Sequence, residues 1–170
     1  MDEATDQSLP RRVGDALRED DSMVAVAESS TGGLISSRLT DVPGSSAYFE
    51  RSMVTYSNES KVEHLGVDPE TITTEGAVSA QTAREMALGI RAVAGTRYGL
   101  STTGVAGPGG GTPKNPVGTI YIGVAKATNG GVDASVNGYE FDGARLENKS
   151  SFARQALTDL LEAIESETPE

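Results

Sequence analysis

The stretch MVAVAESSTGGLISSRL, residues 23–39, decides the fold class. Its first five residues form a short apolar run that suits a buried strand, and the polar turn Glu28-Ser-Ser-Thr31 ends that strand. Gly32 then opens a predicted helix that runs to Leu39 and places apolar residues on one face. A buried strand that passes through a glycine turn into a helix is typical of α/β domains.

Strands and helices alternate along the rest of the chain. The predicted further helices cover residues 8–20, 58–65, 79–93 and about 145–165, and the predicted further strands cover residues 52–56, 98–102, 117–125 and about 132–141. Ser8, Asn58 and Ser79 are the expected N-caps, and Asn129-Gly130 predicts a hairpin between the last two strands. We therefore predict one domain over residues 8–165, an α/β sandwich with a mixed sheet.

Acidic residues dominate the charge of the chain. Its 170 residues carry a formal net charge of −11, which argues against non-specific binding of DNA or RNA. Residues 1–6 and 162–170 contain no base and hold seven of the 25 acids, and we expect residues 1–7 and 166–170 to be acidic disordered tails. No apolar run is long enough to span a membrane and no signal peptide begins the chain, so we expect a cytoplasmic protein without membrane contact.

The chain has no cysteine and a single histidine, His64, and these counts limit its chemistry. A thiol nucleophile is impossible, and a zinc site is disfavoured because its usual ligands are missing. His64 lies near the end of a predicted helix, where a histidine is more often a surface or cap residue than a catalytic base. Hydroxyl and amine chemistry remains, with Ser or Thr as the nucleophile and Lys or Tyr as the proton acceptor.

The first candidate binding loop is the turn Glu28–Gly33. Ser29 and Thr31 offer hydroxyls there, while Gly32 and Gly33 allow backbone N–H groups to approach a ligand at a helix N-terminus. No lysine follows the glycines, so the turn is not a Walker sequence. The alternative interpretation is a tight turn with a helix cap.

The second candidate loop, Thr103–Gly111, contains five glycines, among them Gly104 and Gly107. It could wrap a ligand with backbone donors, or it could be a flexible surface connection. Both loops follow strands, and open α/β sheets bind ligands outside the carboxyl ends of their strands. Arg51 and Arg145 are further candidates for binding a phosphate or carboxylate. The sequence does not indicate which loop would hold a phosphate.

The segment from Ser46 to Lys61 contains the remaining chemical groups. Ser46 is expected in an exposed loop, and Tyr56 closes a predicted strand. With Asn58 as N-cap, Lys61 takes the third helical position, where the helix dipole and partial burial both lower the pKa of a lysine. A lysine that is neutral near pH 7 can accept a proton from a serine hydroxyl, so we predict a Ser46–Lys61 pair. The alternative is an exposed surface lysine.

Five strings together resemble one known family. They are AESSTGG at 27–33, GSSAYFERSMVTYSNESK at 44–61, GAVS at 76–79, GVAGPGGG at 104–111 and PVGTIYIGVA at 116–125. Their order and spacing are similar to those of the C-terminal domain of CinA proteins, the nicotinamide-nucleotide amidase (PncC-type) domain, over residues 8–165. We expect a stand-alone domain, without the N-terminal molybdopterin-binding-like domain of full-length CinA.

The resemblance implies a three-layer α/β/α sandwich with a mixed, mostly parallel sheet. It implies hydrolysis of the carboxamide of nicotinamide mononucleotide to nicotinate mononucleotide and ammonia, without a metal or an organic cofactor, by a homo-oligomer. Ser46 would be the nucleophile, and Tyr56 and Lys61 would be its proton-handling partners.

The resemblance also suggests that Ser29, Thr103 and Arg145 line the site. Arg145 would correspond to the family's basic residue before the last helix. Two departures from the family pattern are Ser30, where many relatives have cysteine, and a slightly longer stretch at 146–151. Together with the two loops, the predicted substrate-binding residues are Ser29, Thr31, Gly32, Gly33, Thr103, Gly104, Gly107 and Arg145.

Two other functions stay open at this point. One is a non-catalytic module that binds a nucleotide or docks a partner protein, and the other is an amidase for a different small amide. The joint presence of Ser46, Tyr56 and Lys61 favours an active enzyme.

Overall fold

The computed structural model describes the backbone of residues 3–166 and the side chains of residues 8–166. Its sheet has five strands: β1 (Val24–Glu28), β2 (Phe49–Val54), β3 (Tyr98–Gly104), β4 (Thr119–Thr128) and β5 (Gly131–Glu140). The strand order is β2-β1-β3-β4-β5. β1 pairs in parallel with β2 and β3, whereas β4 pairs antiparallel with β3 and β5. The sheet is therefore mixed, as predicted, with β4 running against its neighbours.

Helices cover both faces of the sheet and complete an α/β fold. They are α1 (Glu3–Glu19), α2 (Leu34–Thr40), α3 (Asn58–Leu65), α4 (Pro69–Thr74), α5 (Ala80–Ala94) and α6 (Arg145–Glu165). α1, α2 and α6 pack together on one face, while α3 and α4 pack against α5 on the other. No helix within residues 3–166 is long and apolar enough to cross a membrane.

β1 lies inside the sheet and has helices on both faces. Val24 and Val26 belong to the core beneath α1, α2 and α6, whereas Ala25 and Ala27 belong to the core beneath α3 and α5. All five of its residues are buried. Burial on both faces explains why residues 24–27 are continuously apolar instead of alternating with polar residues.

The structure departs from the predicted elements at several helix ends. α1 begins at Glu3, so Ser8 is not an N-cap, Pro10 lies inside the helix, and the predicted tail over residues 1–7 overlaps a helix. The remainder of both predicted tails lies outside the described residues. Ser57 caps α3 by accepting from Ser60 N, one residue before the predicted cap. Sequence reading missed α4, although Asp68 before Pro69 is an N-terminal signal.

Candidate active site

The candidate site lies at the carboxyl end of β1, at a topological switch point. The connection from β1 to β2 passes through α2 on one face, and the connection from β2 to β3 passes through α3, α4 and α5 on the other. The turn Glu28–Gly33 therefore occupies the place where open α/β sheets bind ligands. Because Glu28 pairs with Thr102 in the parallel register, the glycine loop that follows β3 begins beside this turn.

Glu28 anchors the turn to helix α2. Its buried carboxyl group accepts hydrogen bonds from Ile35 N at 2.9 Å, Ser36 N at 3.2 Å and the Ser36 hydroxyl at 2.5 Å. The two N–H groups belong to the first helical turn, whose backbone donors have no acceptor within a helix. The cap interpretation of the Glu28–Gly33 turn is therefore correct for Glu28, and it fixes the backbone on which Ser29 stands.

Ser29 and Lys61 meet on the opposite face of the sheet from Glu28. Lys61 is 1% exposed, and its Nζ lies 3.1 Å from Ser29 Oγ, 2.8 Å from Thr55 O and 3.3 Å from Tyr56 O. A carbonyl oxygen can only accept a hydrogen bond, whereas a hydroxyl can accept or donate. A neutral Lys61 amine can thus donate its two hydrogens to the carbonyls while its lone pair faces the Ser29 hydroxyl.

Burial lowers the pKa of Lys61 to about 8, because the ammonium form loses hydration inside the protein. The sequence predicted this direction, and partial burial was one of the two causes it named. The helix dipole is not needed to explain the shift. A substantial fraction of this amine is neutral at slightly alkaline pH, which is the state that can accept a proton.

The predicted Ser46–Lys61 pair is not formed within the chain. Ser46 is exposed in a short 3₁₀ turn, Ser45–Ala47, that precedes β2, whereas Lys61 follows the carboxyl end of β2. The six residues of β2 separate the two ends by about 20 Å at the usual strand rise. Proximity in sequence was misleading because the intervening chain is extended. Ser29, predicted only to line the site, is the serine that lies beside the amine.

Tyr56 contributes differently from its predicted role. Its backbone carbonyl accepts from Lys61, but its side chain is 62% exposed and its hydroxyl lies 3.4 Å from Arg145 Nη2. Arg145 also donates through Nη1 to Gly107 O at 2.6 Å. The structure therefore brings Tyr56, Arg145 and Gly107 together at the mouth of the site, and it places the Tyr56 phenol away from the lysine amine.

The predicted threonines are buried and already hydrogen-bonded. Thr31 shares a 2.9 Å hydrogen bond with the Thr102 hydroxyl, which ties the turn to β3. Thr103 Oγ1 donates to Ala77 O at 2.6 Å and so fixes the segment before α5. Both residues border the site, and their contacts are with the protein's own groups. Gly104 serves close packing, since a Cβ there would overlap the backbone carbonyl of Thr119.

Unpaired backbone donors lie in the turn that follows Ser29. Within residues 3–166, the N–H groups of Ser30, Thr31 and Gly33 have no acceptor. Gly32 and Gly33 have φ angles of 59° and 101°, a left-handed conformation that glycine adopts without strain. The glycines thus allow the turn to present several N–H groups beside one hydroxyl.

Two residues of α6 were missed by sequence reading. Asn148 is buried and donates through Nδ2 to Ala106 O at 3.1 Å and to Gly143 O at 2.8 Å, so it holds the glycine loop to the helix. Lys149 reaches the Ser29 turn, because a Cβ placed on Gly32 would lie 3.5 Å from Lys149 Nζ. Asn148 and Lys149 lie three and four residues after Arg145. This spacing puts them on the same helix face as Arg145, so the sequence could have predicted them as site residues.

Other candidates lie outside this constellation. His64 is exposed on α3, as the surface interpretation predicted. Arg51, on the edge strand β2, pairs with Glu50 at 2.5 Å. A cleft of about 620 Å³ lies between α4, the start of α5 and Lys114, but neither Ser29 nor Lys61 lines it. The buried amine, and not cleft size, identifies the site.

Known protein families and relatives match this chain over nearly its whole length. A family model described as the CinA C-terminal domain matches residues 6–164. The CinA-like protein of Chlorobaculum tepidum is 51% identical over 155 residues, which are 91% of this chain and 37% of that protein. The CinA-like protein of Desulfosudis oleivorans is 52% identical over 153 residues, 90% of this chain and 36% of that protein. The chain thus spans just over a third of the length of these relatives.

Solved structures give the same assignment. The competence/damage inducible protein CihA from Agrobacterium tumefaciens superimposes with a TM-score of 0.85 at 39% identity, over 94% of this chain and 95% of that one. The competence damage-inducible protein A from Klebsiella pneumoniae superimposes with a TM-score of 0.89 at 29% identity, over 96% and 99%. With its family model, relatives and structural neighbours in agreement, the chain belongs to the CinA C-terminal domain family.

Proposed function

We propose that this chain is a Ser–Lys amidase that converts nicotinamide mononucleotide to nicotinate mononucleotide and ammonia. The observation that carries the proposal is the 3.1 Å contact between the Lys61 amine and the Ser29 hydroxyl. The resemblance to the nicotinamide-nucleotide amidase domain supplies the substrate. Ser29 takes the nucleophilic role that the sequence assigned to Ser46.

Acylation needs a base, a nucleophile and a donor for the developing oxyanion. Neutral Lys61 accepts the Ser29 proton as Oγ attacks the carboxamide carbon, and the carbonyl oxygen becomes an oxyanion. The N–H of Ser30, which follows the nucleophile directly and has no acceptor within residues 3–166, would donate to that oxyanion. Collapse breaks the C–N bond, and the Lys61 ammonium returns the proton to the departing ammonia.

Deacylation reuses the same groups in reverse. The nicotinate is now esterified to Ser29, and Lys61 is neutral again. Lys61 accepts a proton from water while the hydroxide equivalent attacks the ester carbonyl. The ester bond breaks, Ser29 Oγ regains a proton from Lys61, and nicotinate mononucleotide leaves. Each cycle consumes one amide and one water and forms one acid and one ammonia.

The mouth of the site suits the charged ring of this substrate. The pyridinium of nicotinamide mononucleotide is a cation, and exposed Tyr56 offers an aromatic face against which a cation is attracted. A neutral Lys61 avoids repulsion with that ring. The aromatic face of Tyr56 is thus the feature that supports a pyridinium amide, and the family resemblance supports it over an uncharged small amide.

The proposal is tested by ammonia release from nicotinamide mononucleotide in matched serine variants. We expect Ser29→Ala to lower kcat by about a thousandfold or more, the scale of losing an activated nucleophile. Ser46→Ala should keep kcat within about twofold, since Ser46 is an exposed residue at the other end of β2. Both variants should unfold at temperatures close to that of the unchanged protein.

Two results would contradict the proposal. Near-normal turnover in Ser29→Ala would exclude this serine as nucleophile, and loss of turnover in Ser46→Ala alone would restore the sequence-based assignment. Comparing kcat/KM for nicotinamide mononucleotide with that for nicotinamide and for the dinucleotide tests the substrate. Tight mononucleotide binding without ammonia would instead indicate a binding module.

A further inference from the structure

We propose that Lys149, together with Arg145, binds the phosphate of the substrate against the Ser30–Gly33 turn. The inference rests on the proposed function, because it places the anionic half of the same molecule. It also assigns to the phosphate one of the two loops between which the sequence could not choose.

Lys149 is a half-buried cation whose charge is not used within the protein. Its amine lies over Gly32, at 3.5 Å from the position a Cβ would take there. Within the described residues it has neither a hydrogen-bond acceptor nor an ion-pair partner. The amine is therefore available to pair with an anion that also reaches the turn.

Arg145 lies one helical turn before Lys149, so the two side chains project from the same face of α6. Its guanidinium contacts only neutral groups, Gly107 O and the Tyr56 hydroxyl. Within residues 8–166 neither cation forms an ion pair with a carboxylate. Glu147 accepts from Ala144 N, and Glu28 accepts from the first turn of α2. Two positive charges therefore face the site without a carboxylate to neutralise them.

The turn supplies matching backbone donors. The N–H groups of Thr31 and Gly33 flank Gly32 and have no acceptor within residues 3–166. Free backbone N–H groups in one turn, next to Lys and Arg, are a chemistry that recognises phosphate oxygens. The phosphate would lie between α6 and Gly32, and the carboxamide would lie at Ser29, on the opposite side of the sheet edge. The ribose would span the two.

The test compares a substrate with and without its phosphate. Ammonia release from nicotinamide mononucleotide and from nicotinamide riboside is measured for the unchanged protein, Lys149→Gln, Lys149→Arg and the control Lys126→Gln. Lys126 pairs with Tyr98 at the far end of β3 and lies away from the site. We expect Lys149→Gln to raise KM for the mononucleotide about tenfold or more, with kcat changed much less, since it removes a hydrogen bond to a charged group. Lys149→Arg should restore most of the affinity.

Turnover of the riboside should be the same in Lys149→Gln as in the unchanged protein, because the riboside carries no phosphate. An equal KM for the mononucleotide in both proteins, or an equal loss on both substrates, would overturn the inference.

A binding measurement separates this inference from the proposed function. Calorimetric titration with nicotinate mononucleotide and with nicotinate riboside does not require turnover. If the unchanged protein releases no ammonia, the proposed function fails, yet selective weakening of mononucleotide binding in Lys149→Gln would still support the phosphate site. Unchanged binding of both compounds would overturn it.

Discussion

Removal of the Lys61 amine from water determines its protonation state. The group is buried beneath α3 with two fixed carbonyl acceptors, and no carboxylate stabilises its ammonium form among the contacts described. A lysine with a pKa of about 8 is neutral often enough to act as a base near neutral pH. An exposed lysine would be almost wholly protonated there.

The pH dependence of turnover follows from this pKa. In the proposed reaction only neutral Lys61 accepts the Ser29 proton, so kcat/KM should rise with pH and level off above about 8. Measuring kcat/KM for nicotinamide mononucleotide from pH 6 to pH 10 checks the midpoint. Lys61→Arg should abolish the rise together with the activity, because a guanidinium stays charged throughout this range. A flat profile in the active protein would exclude Lys61 as the base.

Helix α2 depends on a side chain from the preceding strand for its cap. Gly33 at its N-cap has no side chain, and Glu28 accepts from Ile35 N, Ser36 N and the Ser36 hydroxyl instead. One residue of β1 thus connects strand, turn and helix. The same connection determines where Ser29 stands, since Ser29 follows Glu28 directly.

Replacing this cap should affect both stability and turnover. Glu28→Ala leaves buried donors of α2 unsatisfied, and we expect it to lower the free energy of unfolding by about 2–4 kcal/mol. Urea unfolding measures the loss. The matched control is Glu63→Ala, an exposed acid of α3 that should change stability by less than about 0.5 kcal/mol. At a temperature where Glu28→Ala is folded, its kcat should still be reduced because Ser29 has lost its support. Equal unfolding midpoints in the two variants would contradict the capping role.

At the scale of the whole molecule, the site forms where three parts of the fold meet. The turn after β1 supplies Ser29, the α3–α5 layer supplies Lys61, and α6 of the opposite layer supplies Arg145 and Lys149. Each group is separated from the others by a crossover connection. The complete constellation therefore exists only when both helical layers are packed on the sheet.

Burying Lys61 should reduce the stability of the fold below pH 8. The folded-state pKa is about 8 against an ordinary 10.5, so between these values the unfolded chain binds more protons. The free energy of unfolding should therefore rise with pH from about 8 to about 10.5, and the penalty is complete below about pH 8. Lys61→Met removes the titrating group and with it this penalty. The gain in free energy of unfolding over the unchanged protein should therefore be greatest near neutral pH, at roughly 1–3 kcal/mol before packing losses are subtracted.

Thermal or urea unfolding at pH 7, 8.5 and 10 measures the difference in free energy of unfolding between Lys61→Met and the unchanged protein. The exposed Lys114→Met should show no such trend. A difference between Lys61→Met and the unchanged protein that does not vary with pH would exclude a titration shift of Lys61. If the trend is found together with lost turnover, the buried amine is a case of stability sacrificed for activity.

The sequence by itself determined the alternation of strands and helices, because apolar periodicity and capping residues act locally. The bounds of α6 agree with the prediction at both ends, α3 ends at the predicted Leu65, and Ser79 is the cap of α5. The apolar run over residues 23–27 indicated a buried strand. The lowered pKa of Lys61 also followed from its expected surroundings.

Only the tertiary structure decided which groups meet. Ser46 and Lys61 are close in sequence, but the extended strand β2 carries them to opposite ends of the sheet. Ser29 and Lys61 are 32 residues apart, yet the parallel pairing of β1 with β2 brings them to the same edge. Lys149 enters the site from the far end of the chain because α6 packs across the sheet. Contacts of this kind depend on register and layer order, which no local pattern encodes.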